Sequence, residues 1–409
     1  MLAPIRSDPA SLKRVAVADG LRGTAILMVM AFHAWGVIPG LSGQHPTVRL
    51  DRYLAHVFSS GWAGVDLFFV ISGFLLTGNL YDARGSSTYF RAFYARRFLR
   101  VFPPYYAFLM VMFCIVPLSP ALAGILQLDT LRKGAWYYWT YTVNVAASLH
   151  ATHEKIPLAH SHIWSLCVEV QFYLLLPAIV VYGGSRRRLM RLFLIVMGAA
   201  LVSRWLLTLN LASGMFRENA PYSLLPCRMD TFAFGGYLAL AVRGDTDEVA
   251  WLRRVGPMLV AAAFLGLVGI YLGWHTLWPF DSPMNTIGFS FLTAGFGGLL
   301  AIVLGAKSGS ALHRLFGSRP LVAAGKFSYG LYIVHLAVAF ALLPLVLGAW
   351  WTRPVYGSFF FANLGFLALV CTGSLAIAWV SWHLLEKRAI ALKRYVPYGT
   401  AKSRDTVGR

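Results

Sequence analysis

The stretch LRGTAILMVMAFHAWGVI, residues 21–38, sets the terms for reading the whole chain. Apart from Arg22 and His33 it is almost wholly apolar, and it approaches the roughly 20 residues a helix needs to cross a hydrocarbon core. Nine stretches of the same kind follow, near 62–80, 98–118, 163–183, 192–210, 224–242, 255–274, 285–305, 327–349 and 357–385. The pattern predicts an all-α polytopic membrane protein with about ten transmembrane helices. A further apolar run, Trp136 to Leu149, is only about 14 residues long and is short for a span.

Composition agrees. The 409 residues are 58% apolar and 13% charged, roughly half the charge of a soluble domain. That balance excludes disorder, a collagen-like fibre and a disulfide scaffold, and one soluble core could not bury so much apolar surface. The net charge of +20, from 36 Lys+Arg against 16 Asp+Glu, would point to nucleic acid in a soluble protein. In a membrane protein it can instead report topology, because cytoplasmic loops collect Lys and Arg. With the N-terminus cytoplasmic and 136–149 not crossing, 25 of the 36 cations fall on the cytoplasmic side and seven outside. The other four, Arg22, Arg100, Arg204 and Arg228, lie within spans. Letting 136–149 cross would place Arg186, Arg187, Arg188 and Arg191 outside, against that rule. Both termini are therefore expected in the cytoplasm, with tails 1–14 and 391–409 flanking a membrane domain at 15–390. No nucleic-acid partner is expected. The first span lacks a small-residue cleavage site and reads as an uncleaved anchor. The four cysteines show no CxxC spacing and read as core hydrophobes.

Ionisable side chains inside a bilayer are expensive and mark candidate sites. Here they are His33, Asp66, Glu169, Arg204, Arg228, Asp230 and His335, with Arg22, Arg97, Arg100 and His383 at cytoplasmic ends. Arg22 and His33 are 11 residues apart, about 20° beyond three full turns and about 16.5 Å along the axis, so they share one helix face. Arg97 and Arg100 form an i,i+3 pair whose guanidinium forks suit phosphate. Glu169 is inferred at a depth similar to that of His33, where a carboxylate could raise the basicity of an imidazole. His150, His153, His160 and His162 have metal-like spacing in an outer loop, but no HExxH occurs and no metal is expected. Trp136, Tyr137, Tyr138 and Trp139 read as interfacial aromatics, with sugar stacking as an added role. A proton-coupled transporter of a glycan precursor is the competing reading of His33, Glu169 and Arg228, though no inverted repeat supports it.

Six motifs, in order, carry a family resemblance. They are Asp19-Gly20-Leu21-Arg22-Gly23 with His33, Gly64 to Phe74 (GVDLFFVISGF), Arg96-Arg97-Phe98-Leu99-Arg100-Val101-Phe102-Pro103, Trp164-Ser165-Leu166 with Glu169 and Phe172-Tyr173-Leu174, Cys227-Arg228-Met229-Asp230 with Gly235, and Phe327 to His335 (FSYGLYIVH). The chain resembles the acyltransferase-3 family of integral membrane O-acyltransferases over residues 15–390. It departs where the family often has Glu-Lys-Pro, for Arg388 follows Glu386-Lys387 here.

The resemblance implies transfer of an acyl group, usually acetyl, from acyl-CoA to a hydroxyl of a carbohydrate or similar acceptor, in a bacterial inner membrane. A non-glycan small molecule is the alternative acceptor. Some relatives carry a fused hydrolase-like domain, and none is expected here. Carried onto this sequence, the resemblance places acetyl-CoA phosphates on Arg22, Arg97 and Arg100 and the thioester near His33. His33 would act as general base, with Glu169 orienting it or binding sugar, and Arg228 or His335 would stabilise the oxyanion. Asp66 and Asp230 accompany these as substrate-side candidates. An acyl-enzyme on His33 or Ser72 is the alternative route.

Overall fold

The computed structural model describes residues 9–35, 37, 48–149, 156–209, 215–244, 246–307, 309–347 and 349–399. Ten principal helices run through them: α1 Pro9–Ala34, α2 Gly64–Asp82, α3 Tyr89–Met110, α4 Trp164–Tyr182, α5 Arg186–Leu209, α6 Leu225–Ala241, α7 Thr246–Trp274, α8 Phe289–Gly305, α9 Arg319–Val346 and α10 Phe360–Ser381. Nine described helical segments are long and apolar enough to cross a membrane. The tenth, α6, has 17 residues, at the lower limit for a span, and is buried along nearly its whole length. Large apolar side chains such as Ile195, Phe264, Leu272 and Leu345 stand exposed on the outer helices, as a lipid-facing surface requires.

The run 136–149 does not form a continuous helix. It breaks into Ala135–Trp139 and Val143–Leu149, with Tyr141 between them at φ 55°. Tyr138, Val143, Asn144, Ala146 and Ser148 are buried, so this segment folds back against the protein.

Two helix pairs meet with no side chain between them. A Cβ on Gly23 of α1 would stand 2.0 Å from the Leu321 carbonyl oxygen and 3.1 Å from the Gly325 nitrogen. A Cβ on Gly325 of α9 would stand 1.8 Å from the Asp19 oxygen. In α2 and α6, Gly73 lies against the Phe232 carbonyl and Gly235 against that of Val70. Without a hydrophobic drive between helices in lipid, such backbone contact lets packing forces act at short range. The α1–α9 contact also sets the register of the two helices beyond it. Ten residues past Gly23 is His33, and ten past Gly325 is His335.

Gly325→Val should therefore separate α1 from α9 and destabilise the protein by about 1–3 kcal/mol or more. Gly124→Ala, with nothing within 4 Å of its Cβ position, should be neutral within about 0.5 kcal/mol. Unfolding midpoints in detergent check the pair, and equal midpoints would refute the packing account.

Candidate active site

Three imidazoles gather where α1, α9 and the turn before α4 converge. The His33 and His335 ring centroids are 5.0 Å apart, those of His162 and His335 4.7 Å, and those of His33 and His162 6.4 Å. Their hydrogen-bond partners assign the tautomers. Nδ1 of His335 faces the backbone oxygens of Tyr332 at 2.8 Å and Leu331 at 3.2 Å, which can only accept, so it carries the proton. The His335 Nε2 is then a lone pair, and it lies 3.2 Å from His33 Nδ1. That same His33 nitrogen faces the Val29 oxygen at 2.9 Å. Both neighbours of His33 Nδ1 are acceptors, so the proton sits there and Nε2 of His33 is left as the basic nitrogen.

His33 lines a cavity of about 240 Å³. This is smaller than the roughly 300–1,000 Å³ of drug-sized ligand sites and suits a compact polar group or a single sugar ring. Trp62, Trp164, Tyr222 and Phe280 give it an aromatic wall, with Trp164 and Tyr222 rings 4.5 Å apart and Tyr222 and Phe280 rings 4.7 Å apart. The 136–139 aromatics are not part of that wall. Trp136 is exposed, and Trp139 stacks on Tyr106 at 5.6 Å. His162, read from the sequence as an outer-loop residue, is 3% exposed and lines the cavity. The signal that could have found it is its position two residues before Trp164-Ser165-Leu166. His160 packs against Phe108 and Tyr138, while His150 and His153 lie outside the described residues. Among the described residues no group of three or more His, Cys, Asp or Glu is arranged to hold a metal ion.

Glu169 takes a different place from the one inferred. The buried 3-10 turn Leu158–Ile163 precedes α4, so the helix begins at the cavity rather than at the protein's edge. Glu169 then lies five residues, about 7.5 Å, further along. There its Oε1 accepts from Ser72 Oγ at 2.7 Å, and Tyr173 hydrogen-bonds it. The ring partner of His33 is thus His335, and the carboxylate belongs with the cations. Arg22 is within electrostatic reach of Arg100, Asp19, Glu169 and Tyr173, and Arg97 of Tyr173, Arg100, Tyr398 and Glu169. Arg97 Nε is buried with no hydrogen-bond partner. Glu386, also near Arg100, is held by Ser381 Oγ at 3.3 Å. The chain after α10 borders this cluster, with Arg96 donating to the Lys393 and Val396 oxygens and Gly399 N donating to Thr88 Oγ1 at 2.8 Å.

The remaining buried ions pair with each other. Arg204, fully buried, bridges to Asp230 at 2.8 Å and donates to the Cys227 oxygen at 2.5 Å and Ser290 Oγ at 2.7 Å. Arg228 donates to Asp66 Oδ1 at 2.5 Å and stacks on the Phe289 ring at 3.9 Å. Its guanidinium lies 5.7 Å from the centre of Tyr222, behind the cavity wall. His335 has no N–H left to offer an oxyanion, since its one proton is spent on backbone oxygens.

Apolar helices enclosing a histidine-lined cavity, with an arginine cluster formed by Arg22 of α1 and Arg97 and Arg100 of α3, define an integral membrane protein with a polar site among its spans. Residues 15–383 match the acyltransferase-3 family, described as an acyltransferase domain, and the chain belongs to that family. It is similar to the peptidoglycan O-acetyltransferase OatA of Listeria monocytogenes, at 25% identity over 83% of this chain and 52% of that protein. It is also similar to nodulation protein 10 of Rhizobium leguminosarum bv. viciae, at 26% identity over 92% of this chain and 93% of that one. The chain spans about half the length of OatA and of the Staphylococcus aureus O-acetyltransferase relatives it matches. No solved structure matches it.

Replacing Arg204 by Ala strands Asp230 in a dry interior and should cost about 3–5 kcal/mol. Removing Asp230 as well should restore part of that loss, measured as the unfolding midpoint in detergent. A single variant as stable as the parent protein would show that the pair does not brace α5 to α6.

Proposed function

We propose that the protein is a membrane O-acetyltransferase that moves acetyl from cytoplasmic acetyl-CoA to a hydroxyl of a carbohydrate in the histidine-lined cavity. The observation that carries this reading is the free Nε2 of His33, set in the cavity wall on the same face of α1 as Arg22. Arg22, Arg97 and Arg100 cluster at one end of the site, and the buried Arg97 Nε lacks a hydrogen-bond partner, which suits an anionic phosphate donor. The excess of Lys and Arg expected on the cytoplasmic side assigns that end to the compartment where coenzyme A resides.

In this reading His33 Nε2 takes the acceptor hydroxyl proton as the oxygen attacks the thioester carbonyl. The carbon–sulfur bond breaks as the ester forms, and the proton passes from His33 to the leaving thiolate. His335 holds the His33 ring and its tautomer. Glu169, bound to Ser72 and Tyr173, positions the arginines, and the Asp66–Arg228 pair supports the wall through Tyr222. The membrane is the bacterial inner membrane on this reading.

His33→Ala should lower acetyl transfer by about 10²–10⁴-fold. Arg97→Gln and Arg100→Gln should instead raise the KM for acetyl-CoA, each by about 10–100-fold. Membranes supplied with radiolabelled acetyl-CoA and surface glycan read both effects. Ser72→Ala, in direct transfer, should keep transfer within about tenfold. Loss as deep as that of His33→Ala would indicate an acyl-serine route, and unchanged transfer in His33→Ala would refute the assignment of the base.

A further inference from the structure

His162 has its own fixed tautomer. Its Nε2 lies 3.2 Å from the backbone oxygen of Ile333 on α9, an acceptor, so Nε2 carries the proton. Nδ1 is therefore a lone pair. It is buried, it has no hydrogen-bond partner, and the ring lines the same cavity as His33. Leaving a buried acceptor unsatisfied is costly, and native structures seldom do so without a ligand or water to fill the place.

Two rings that line the cavity thus each keep one unprotonated nitrogen, His33 Nε2 and His162 Nδ1, with the ring centroids 6.4 Å apart. A hydroxyl has one proton to donate, so the hydroxyl that gives its proton to His33 cannot also satisfy His162. A second donor is needed beside the first. We propose that His162 is a specificity-determining residue, whose Nδ1 accepts a hydrogen bond from the hydroxyl adjacent to the one acetylated, so that the cavity selects a vicinal diol. This rests on the acetyl-transfer reading above and names its acceptor class. The surroundings fit. The aromatic wall of Trp62, Trp164 and Tyr222 covers an apolar ring face, as sugar recognition requires, while the two imidazoles meet its edge. Tyr332 Oη, 2.5 Å from Ser165 Oγ and 3.3 Å from the His162 carbonyl oxygen, holds the turn that carries His162 in place.

Two near-isosteric substitutions separate the roles of the ring nitrogens. His162→Gln keeps an N–H toward Ile333 and loses the Nδ1 acceptor. His162→Asn keeps an acceptor near the Nδ1 position and loses the tether to Ile333. The full chain in detergent is given labelled acetyl-CoA and methyl glycosides of glucose, galactose, rhamnose and N-acetylglucosamine. The glycoside that the parent protein acetylates is then compared with its analogue lacking the neighbouring hydroxyl. The parent protein should show a KM about tenfold lower for the diol than for the deoxy analogue. His162→Gln should abolish that ratio by weakening diol binding, and His162→Asn should retain most of it, with the KM for acetyl-CoA within about twofold in both.

A parent protein that transfers acetyl without preferring the diol would overturn the proposal and leave the acetyl-transfer reading standing. So would His162→Gln keeping the full ratio, the result expected if Nδ1 is satisfied by water alone. Absence of transfer to any glycoside by the parent protein would sink the underlying reading and this one with it.

Discussion

The site depends on one backbone contact. Gly23 and Gly325 bring α1 and α9 together without side chains between them, and the two helices run in parallel. Equal steps along each helix from that contact lead to His33 and His335, so the meeting of the two rings follows from helix packing rather than from a loop. The consequence is chemical. His335 is anchored by its own helix carbonyls, its lone pair faces His33, and His33 must then hold its proton on Nδ1. The nitrogen left basic is set by the register of two helices. On the proposed reading, a general base placed in this way needs no further hydrogen bond to choose its tautomer.

The buried arginines divide by how completely they are neutralised. Arg204 and Arg228 each have a carboxylate, at 2.8 and 2.5 Å, and both are fully buried. A charge kept in a low-dielectric interior must be paired in this way or it destabilises the fold. Arg22, Arg97 and Arg100 are different, for they share the carboxylates Asp19, Glu169 and Glu386, of which Glu169 is also committed to Ser72 and Tyr173 and Glu386 to Ser381. These cations are half-buried rather than fully enclosed, so solvent or an anion can complete them. The first pair of arginines reads as bracing between helices, and the second group as a place for a ligand.

Much of this architecture is legible in the chain itself. Apolar runs of span length predict the helices, α6 among them, although it has only 17 residues and is buried along nearly its whole length. The failure of 136–149 to cross follows from its length, and Tyr141 supplies the break. The shared face of Arg22 and His33 needs only helix geometry. What the sequence could not show lies between elements. Depth along the chain sets Glu169 too near His33, because the buried turn at 158–163 shifts the start of α4 inward. His162 reads as a loop residue for the same reason. The cavity wall draws Trp62, Tyr222 and Phe280 from segments far apart in sequence, and no periodicity links them.

On the proposed reading, the placement of both ligand sites along α1 has a mechanical consequence. The arginine end and the imidazole end are joined by three turns of one helix, so their separation of about 16.5 Å cannot adjust as a hinge would. The donor must therefore be long enough to keep its phosphates on the cations while its acyl carbon reaches Nε2. A short activated acyl compound could satisfy one end only, and the binding free energy of the distant phosphates would then be lost from holding the reacting carbonyl in place. The rigid spacing thus serves to exclude short donors. It also means that neither ligand has to cross the membrane, because the donor's extended arm carries the acyl group the length of the helix.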